Sequence, residues 1–389
     1  MAYNVVAIVL AGGKGTRLKE LTLTRPKPAI SFAGKYRLID YVLSNCTNSG
    51  ISRVGVLTQY EPLELISYIG EGSSWDLDVY GSSVTVMGPY TSRDYGFLWQ
   101  GGTAEAVILN MSFIEQYNPD YLLVLSADHI YKMDYQKLIQ FHVENEADLT
   151  ISTIEVDKED TNRFGIIVED ENHRVVEFQE KPDETDSTLA SMGVYVFSWE
   201  RFKRDIVHKY YKRIYEGVDF AKDVIPQFIN DDKKVCAYNY KGYWRDVGTV
   251  ESYWKAHMDL LDVNNEIRLA DKHWPIFSKT VTLPAHHVFP DGIVKNSWVN
   301  EGTMILGQVY SSIVAQSCYI GRRAKIKSTV ILNNVYIDHD CVVEYAIIGD
   351  DVILPPYTYL KGDEDDILLV TKENLDEVLA TLNGVGEYE

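Results

Sequence analysis

Leu10-Ala11-Gly12-Gly13-Lys14-Gly15-Thr16-Arg17-Leu18 follows directly on the apolar run Val5-Val6-Ala7-Ile8-Val9. A short continuous apolar run bounded by glycines reads as a buried strand of a parallel sheet. The glycine-rich turn after it lets the backbone approach a ligand closely, and successive N–H groups in such a turn cradle anions. Arg17 adds a planar fork of donors for phosphate oxygens. Arg25 and Lys27 follow in R-P-K-P. The turn is not a Walker loop, because no Lys-Ser/Thr pair follows the second glycine at the required spacing. It also lacks the third glycine of the dinucleotide fingerprint. It reads as a phosphate-handling turn of another kind, with a plain chain reversal as the alternative.

Outward from this turn, strand-like runs at Val5–Leu10, Val54–Thr58, Tyr121–Ser126, Leu149–Ile154 and Val194–Phe197 alternate with helix-like segments. The helical segments lie near Pro62–Ile69, Tyr135–Asn145 and Val250–Leu261. Such alternation predicts an α/β domain with a mostly parallel sheet. Ligands of these sheets bind at the carboxyl ends of strands. The glycine turn after Leu10 and Asp128 after Tyr121–Ser126 both fall there.

Beyond about residue 290 the pattern changes. Aliphatic residues stand six apart at Ile320 and Ile326, Ile337 and Val343, and Ile348 and Leu354, with glycine after several of them. This spacing predicts a parallel β-helix of hexapeptide repeats in which each coil stacks its aliphatics on the next. A generic β-sandwich is the alternative. Residues 264–290, with Pro275, Pro284 and Pro290, read as a linker. The expected organisation is a first domain over 1–263, a linker over 264–290 and a second domain over 291–389. Leu368 to Leu382 reads as a short strand and a closing helix.

The 389 residues are 46% hydrophobic and carry a net charge of −20, which predicts a globular protein and argues against nucleic acid as a partner. Residues 1–40 reverse the balance. Lys14, Arg17, Lys19, Arg25, Lys27, Lys35 and Arg37 face only Glu20 and Asp40, a local excess able to attract a nucleotide triphosphate. No apolar run approaches a membrane span and no signal pattern opens the chain. Cys46, Cys236, Cys318 and Cys341 show no metal spacing, so reduced thiols in a cytoplasmic protein are expected.

Five further motifs occur in order: Gly34 to Gly50 (G-K-Y-R-L-I-D-Y-V-L-S-N-C-T-N-S-G), Ala127 to Tyr135 (A-D-H-I-Y-K-M-D-Y), Glu180 to Pro182 (E-K-P), Leu189 to Phe197 (L-A-S-M-G-V-Y-V-F) and Tyr243 to Thr249 (Y-W-R-D-V-G-T). With the glycine turn they resemble the sugar-nucleotide pyrophosphorylase family, nearest its ADP-glucose-forming branch, over almost the whole chain. The resemblance implies a Rossmann-like nucleotidyltransferase domain followed by a left-handed parallel β-helix. It implies transfer of the adenylyl group of ATP to glucose 1-phosphate, feeding glycogen-like polymer synthesis, with Mg2+ shared by Asp128 and Asp246. Arg17 and Lys27 are assigned with Asp128 to catalysis. Leu10, Ala11, Gly12, Gly13, Lys14, Gln59, Gly102 and Thr103 are assigned to the nucleotide. Lys181 is assigned to the sugar phosphate, and Glu180 and Ser191 to glucose hydroxyls. Adjacent residues of a strand point to opposite faces, so Glu180 and Lys181 need a local bend to share a ligand. The implied assembly is a homotetramer, with a mixed oligomer including a related subunit as an alternative. Three departures stand out: Ala127 where the family has Gly, Gln100-Gly101 after Trp99, and Glu105. Alanine cannot hold a positive φ cheaply, so a displaced metal loop is expected at Asp128. Competing readings are a pyrophosphorylase using UTP or dTTP, a catalytically weak modulatory subunit, and acyl transfer by the β-helix.

Overall fold

A computed structural model describes residues 3–13, 15–88, 91–92, 96–97, 101–207 and 217–385. Numbering only the strands of the central sheet, these are β1 (Val5–Ala11), β2 (Arg53–Thr58), β3 (Ser83–Met87), β4 (Tyr121–Ser126), β5 (Leu149–Glu155), β6 (Gly165–Glu169), β7 (Val175–Glu180), β8 (Leu189–Ser198) and β9 (Val235–Asn239). Their spatial order is β7-β6-β8-β4-β1-β2-β3, with β5 pairing β8 and β9. β1, β2, β3 and β4 are parallel neighbours. β8 runs against β4, β5 and β6, and β7 runs against β6. Seven of the nine strands therefore share one direction, as the alternation of strands and helices predicts.

Alternation of Cβ direction along a strand divides the core in two. Val6, Ile8, Leu122 and Val124 pack into the layer on one face. Val5, Ala7, Val9, Leu123 and Leu125 pack into the layer on the other. The unbroken apolar run that opens the chain is thus a strand covered on both sides.

Residues 260–286 contain neither helix nor strand, yet they are fastened to the helix Leu38–Asn48. Asn48 Nδ2 donates to Pro275 O at 2.9 Å, Trp274 Nε1 to Asn45 Oδ1 at 2.9 Å, and Phe277 N to Ser44 Oγ at 2.8 Å. From His287–Val288 onward the chain coils through three parallel sheets of five short strands each. Ile320, Ile337 and Leu354 stack in one sheet, 17 residues apart. The fully buried aliphatics Ile320, Ile326, Ile331, Ile337, Val343, Ile348 and Leu354 step by six, five, six, six, five and six. The short step explains why the six-residue register looks broken in the sequence. Every step turns through a residue in the left-handed region, Ser328 (φ 48) and Tyr345 (φ 49) in the two short ones and Arg323, Asn334, Asp340 and Asp351 in the four long ones. Gly321 follows an aliphatic because a Cβ there would lie 2.5 Å from the Asp338 carbonyl carbon in the next coil. The strand Leu368–Val370 and the helix Leu375–Val385 close the chain. Among the described residues no helix is long and apolar enough to cross a membrane.

The two units share a core. Leu18, Phe32, Tyr41 and Trp254 join Val330, Leu332, Ile347 and Leu369 of the β-helix. Trp254 Nε1 donates to Ser328 O at 2.8 Å. Gly34, at φ 73, lies so close to the β-helix that a Cβ would fall 2.3 Å from Asn300 Nδ2 and 3.1 Å from Ala315 Cα. The preceding Ala33 donates its N–H to Nε2 of the buried His257 at 3.1 Å, while Nδ1–H of His257 donates to Tyr253 O at 2.9 Å.

Both imidazole nitrogens of His257 are committed in the neutral form. Burial pushes its pKa down to about 4, against about 6.5 in an unfolded chain. A base with a lowered folded pKa contributes stability above the unfolded value and loses it as pH falls toward the folded one. Stability should therefore drop between about pH 6.5 and pH 4, by roughly 3 kcal/mol from this group. Denaturant unfolding at a series of pH values should show a smaller drop for His257→Gln than for the wild type.

Candidate active site

The glycine turn is shaped by close approach as well as by φ. Gly15 stands at φ 64, and a Cβ there would lie 2.9 Å from Thr22 Cγ2 and 3.2 Å from Lys27 Cβ. Thr22 Oγ1 donates to Gly15 O at 2.9 Å. The turn and the R-P-K-P segment are thereby folded onto each other, which carries Lys27 to the carboxyl ends of β1 and β4.

Asp128 follows β4, and Ser126 Oγ donates to its Oδ1. The next residues, His129–Tyr131, pair antiparallel with Trp244–Asp246, placing His129 opposite Asp246. This two-stranded ribbon brings the two carboxylates together across the chain. Lys27 Nζ lies between them, 3.0 Å from Asp128 Oδ2 and 3.3 Å from Asp246 Oδ1. Burial works against the charge of Lys27, but the two carboxylates outweigh it and its pKa is raised. Burial alone would raise Asp128. The adjacent His129, the Lys27 charge and the Ser126 hydrogen bond instead hold it far below the usual carboxylate range.

Ligand atoms of Asp128, His129 and Asp246 all lie within 4.8 Å of one another, so this cluster could hold a metal ion. His129 Nε2 is 3.3 Å from Asp128 Oδ1 and 3.9 Å from Asp246 Oδ1, while Nδ1–H donates to Met192 O at 3.2 Å. Arg17 lies beside Gly248, two residues after Asp246. A Cβ on Gly248 would lie 2.9 Å from both Arg17 Nη2 and Asp246 Oδ2, so a side chain there would displace the tips of these two charged groups. Asp128 and Asp246, with a cradle kept open beside Gly248, fit a hard divalent cation that takes one or two carboxylates and completes its shell with phosphate oxygens.

A cavity of about 300 Å³ opens at this cluster. Leu10, Gly12, Gly13, Lys27, Gln59, Gly102, Thr103 and Asp128 all line it, together with Gly101, Ser126 and Asp219. Ala11 is fully buried and does not line it. A second cavity, of about 940 Å³, meets the cluster at Asp246 and is walled by Lys158, Arg163, Phe164 and Trp244. Glu180, Lys181 and Ser191 line neither cavity. Lys181 stands at φ 47, directly after β7, so the chain bends locally there. Its Nζ lies 3.6 Å from Glu180 Oε1. Ser191 Oγ accepts the Gly193 N–H at 3.3 Å, one residue from the Met192 carbonyl that receives His129. Lys14, Trp99 and Gln100 lie outside the described residues.

Two departures noted in the sequence find physical explanations. Ala127 is not among the positive-φ residues, so alanine carries no backbone strain and the expected displacement of the metal loop has no cause there. A side chain at Gly101 would place its Cβ 2.9 Å from Gly217 Cα, so close packing of two segments requires glycine. Residues that sequence reasoning missed are His129, Arg163, Asp219 and Gly248. His129 had a signal, its adjacency to Asp128. Asp219, whose Oδ2 accepts Thr103 Oγ1–H at 2.7 Å, had none.

Residues 6–263 match the family model described as nucleotidyl transferase, and residues 283–366 match one described as GlmU-like, C-terminal hexapeptide. The parallel sheet with paired carboxylates at its carboxyl edge is that of a nucleotidyltransferase carrying a hexapeptide-repeat domain. Across 383 residues the chain is 49% identical to the glucose-1-phosphate adenylyltransferase of Geobacillus stearothermophilus, covering 97% of each chain. It is 43% identical over 382 residues to that of Bacillus cytotoxicus, covering 98% of this chain and 99% of the relative. It is 43% identical over 369 residues to that of Bacillus thuringiensis strain Al Hakam, covering 94% and 98%. The chain belongs to the glucose-1-phosphate adenylyltransferase family.

Removing Lys27 leaves two close carboxylates without their buried counter-charge, which is strongly destabilising. Lys27→Ala should lower the thermal midpoint in metal-free buffer, and added divalent cation should raise that midpoint more in the variant than in the wild type. Differential scanning fluorimetry with and without the cation checks both.

Proposed function

We propose that the protein transfers the adenylyl group of ATP to glucose 1-phosphate, releasing pyrophosphate and forming ADP-glucose for glycogen-like polymer synthesis, with Mg2+ as the metal. The observation that carries this reading is the Lys27–Asp128–Asp246 cluster at the mouth of the cavity lined by the glycine turn. A phosphate oxygen of glucose 1-phosphate forms the new bond to the α-phosphorus, and the bond from that phosphorus to the pyrophosphate oxygen breaks. When bound at Asp128 and Asp246, Mg2+ supplies positive charge to the phosphoryl oxygens.

The chain's own residues position two anions that repel each other. The Gly12-Gly13 backbone, Lys14 and Arg17 hold the phosphates that leave. Lys27 neutralises charge at the two carboxylates and beside the α-phosphate. Leu10, Ala11, Gln59, Gly102 and Thr103 enclose the nucleoside. Lys181 holds the phosphate of the sugar, and Glu180 and Ser191 take glucose hydroxyls. The bend at Lys181 supports that division. Arg17, Lys27, Asp128, Lys181 and Asp246 are all present, which favours an active enzyme over a modulatory subunit. We further propose a cytoplasmic homotetramer, which sedimentation velocity would test.

The purified chain should release pyrophosphate from ATP plus glucose 1-phosphate only with Mg2+. Equal or greater turnover with UTP or dTTP would refute the choice of nucleotide. Asp128→Asn should lower kcat about a hundredfold or more while moving substrate KM values much less, because the lost charge acts mainly in the transition state. Lys181→Ala should raise the KM for glucose 1-phosphate selectively; equal shifts in both substrate constants would instead assign Lys181 a structural role.

A further inference from the structure

Resting on the reading above, we infer that Arg163 is a second phosphate-binding residue for the sugar phosphate, entering from the larger cavity. The nucleophilic phosphate has to lie beside the metal carboxylates, since the α-phosphorus it attacks is held there. Of the cations near Asp246, Lys27 is buried at the Oδ1 side and Arg17 lies against Gly248. Arg163 is the one that lines the larger cavity and also reaches Asp246, its Nη2 standing 3.5 Å from Oδ2. Lys181, the residue expected on this phosphate, has a side chain 60% exposed and paired with its neighbour Glu180. One loosely held lysine is a modest counter-charge for a phosphate brought into contact with a triphosphate.

Arg163 is built in place rather than draped on the surface. It ends the short helix Lys158–Arg163, and its Nη1 donates to Asp160 Oδ1 at 2.9 Å. Its guanidinium lies 5.4 Å from the ring of Phe164. That ring meets Trp244 edge-on at 5.3 Å, and Trp244 packs on His129 at 5.0 Å. The Phe164 carbonyl accepts the Lys181 N–H at 3.0 Å. Arg163 is therefore one residue from a backbone bond that fixes Lys181, and it is tied through aromatic packing to the ribbon bearing Asp246.

The plain alternative is an ion pair that merely steadies Asp246. The distances argue against it. Charge-assisted hydrogen bonds close to about 2.7–2.9 Å, which the Asp160 contact reaches and the 3.5 Å Asp246 contact does not. The guanidinium is anchored at one end and under-bonded at the other, and its planar fork has donors left for two oxygens of one phosphate.

The test compares wild type, Arg163→Ala and Arg163→Lys in steady-state assays, titrating each substrate and Mg2+ separately, with thermal midpoints recorded. The expected result for Arg163→Ala is a rise in KM for glucose 1-phosphate of about tenfold or more, with KM for ATP, half-saturating Mg2+ and the thermal midpoint little changed. Arg163→Lys, which keeps the charge and loses the fork, should fall between. A glucose 1-phosphate KM within twofold of wild type overturns the inference. So does a rise in half-saturating Mg2+ alone, which would make Arg163 a support for Asp246. A wild type that forms ADP-glucose while the variant keeps its constants removes only this inference, whereas a wild type that forms none removes the underlying reading with it.

Discussion

Lys27 between Asp128 and Asp246 is the contact on which the site depends. Its partners lie 101 and 219 residues away in sequence, so it closes three distant segments on one point. Two carboxylates so close together repel, and their desolvation is costly unless a cation shares the site. Lysine supplies that cation on a side chain only 6% exposed, from a segment folded onto the glycine turn that lines the smaller cavity. The protein thereby holds a charge pattern suited to a metal and a polyphosphate before either arrives, which spares reorganisation at the moment of reaction.

The same short stretch that carries Asp246 also grips the β-helix. Thr249 caps the helix Val250–Asp259, its Oγ1 accepting Ser252 N–H at 3.1 Å. Trp254 and His257 on that helix reach Ser328 and the Ala33 loop. The β-helix is therefore packed against the helix that directly follows Asp246. The hexapeptide domain shares a close-packed core with the catalytic-side unit rather than hanging from it, with Phe32, Tyr41 and Tyr253 fully buried there.

What was legible in the sequence is what local chemistry decides. An apolar run ending in glycines announces β1 and its turn, and Asp128 declares itself by ending a second such run. The aliphatic spacing announces the β-helix, although the five-residue steps hid its period. Three features were not legible because long-range pairing creates them. The ribbon His129–Tyr131 with Trp244–Asp246 exists only in the fold, so His129 could not be placed beside Asp246. The β6–β7 hairpin that positions Lys181 breaks the simple strand–helix alternation. The φ of Ala127 is set by its surroundings, and there the residue-type argument for a displaced loop pointed the wrong way.

The cationic excess of residues 1–40 shows how charge counted along a chain differs from charge available to a ligand. Read as one patch, its seven cations attract a nucleotide. In the structure Arg25 pairs with Asp350 of the β-helix and approaches Glu64, Arg37 pairs with Glu64 at 2.8 Å, and Lys35 approaches Glu301 at 3.8 Å. Those three are spent on contacts within and between the two units and are largely neutralised at any distance beyond a Debye length, about 8 Å at physiological salt. Lys27 is the one of them that pairs with Asp246, at 3.3 Å, while Arg17 lies beside Gly248 close by. An anionic ligand near the site thus meets a few local cations set among carboxylates, Lys27 and Arg163 among them, not a diffuse +5. Attraction of that kind survives salt better than surface steering does, and it reconciles anionic substrates with a chain whose net charge is −20.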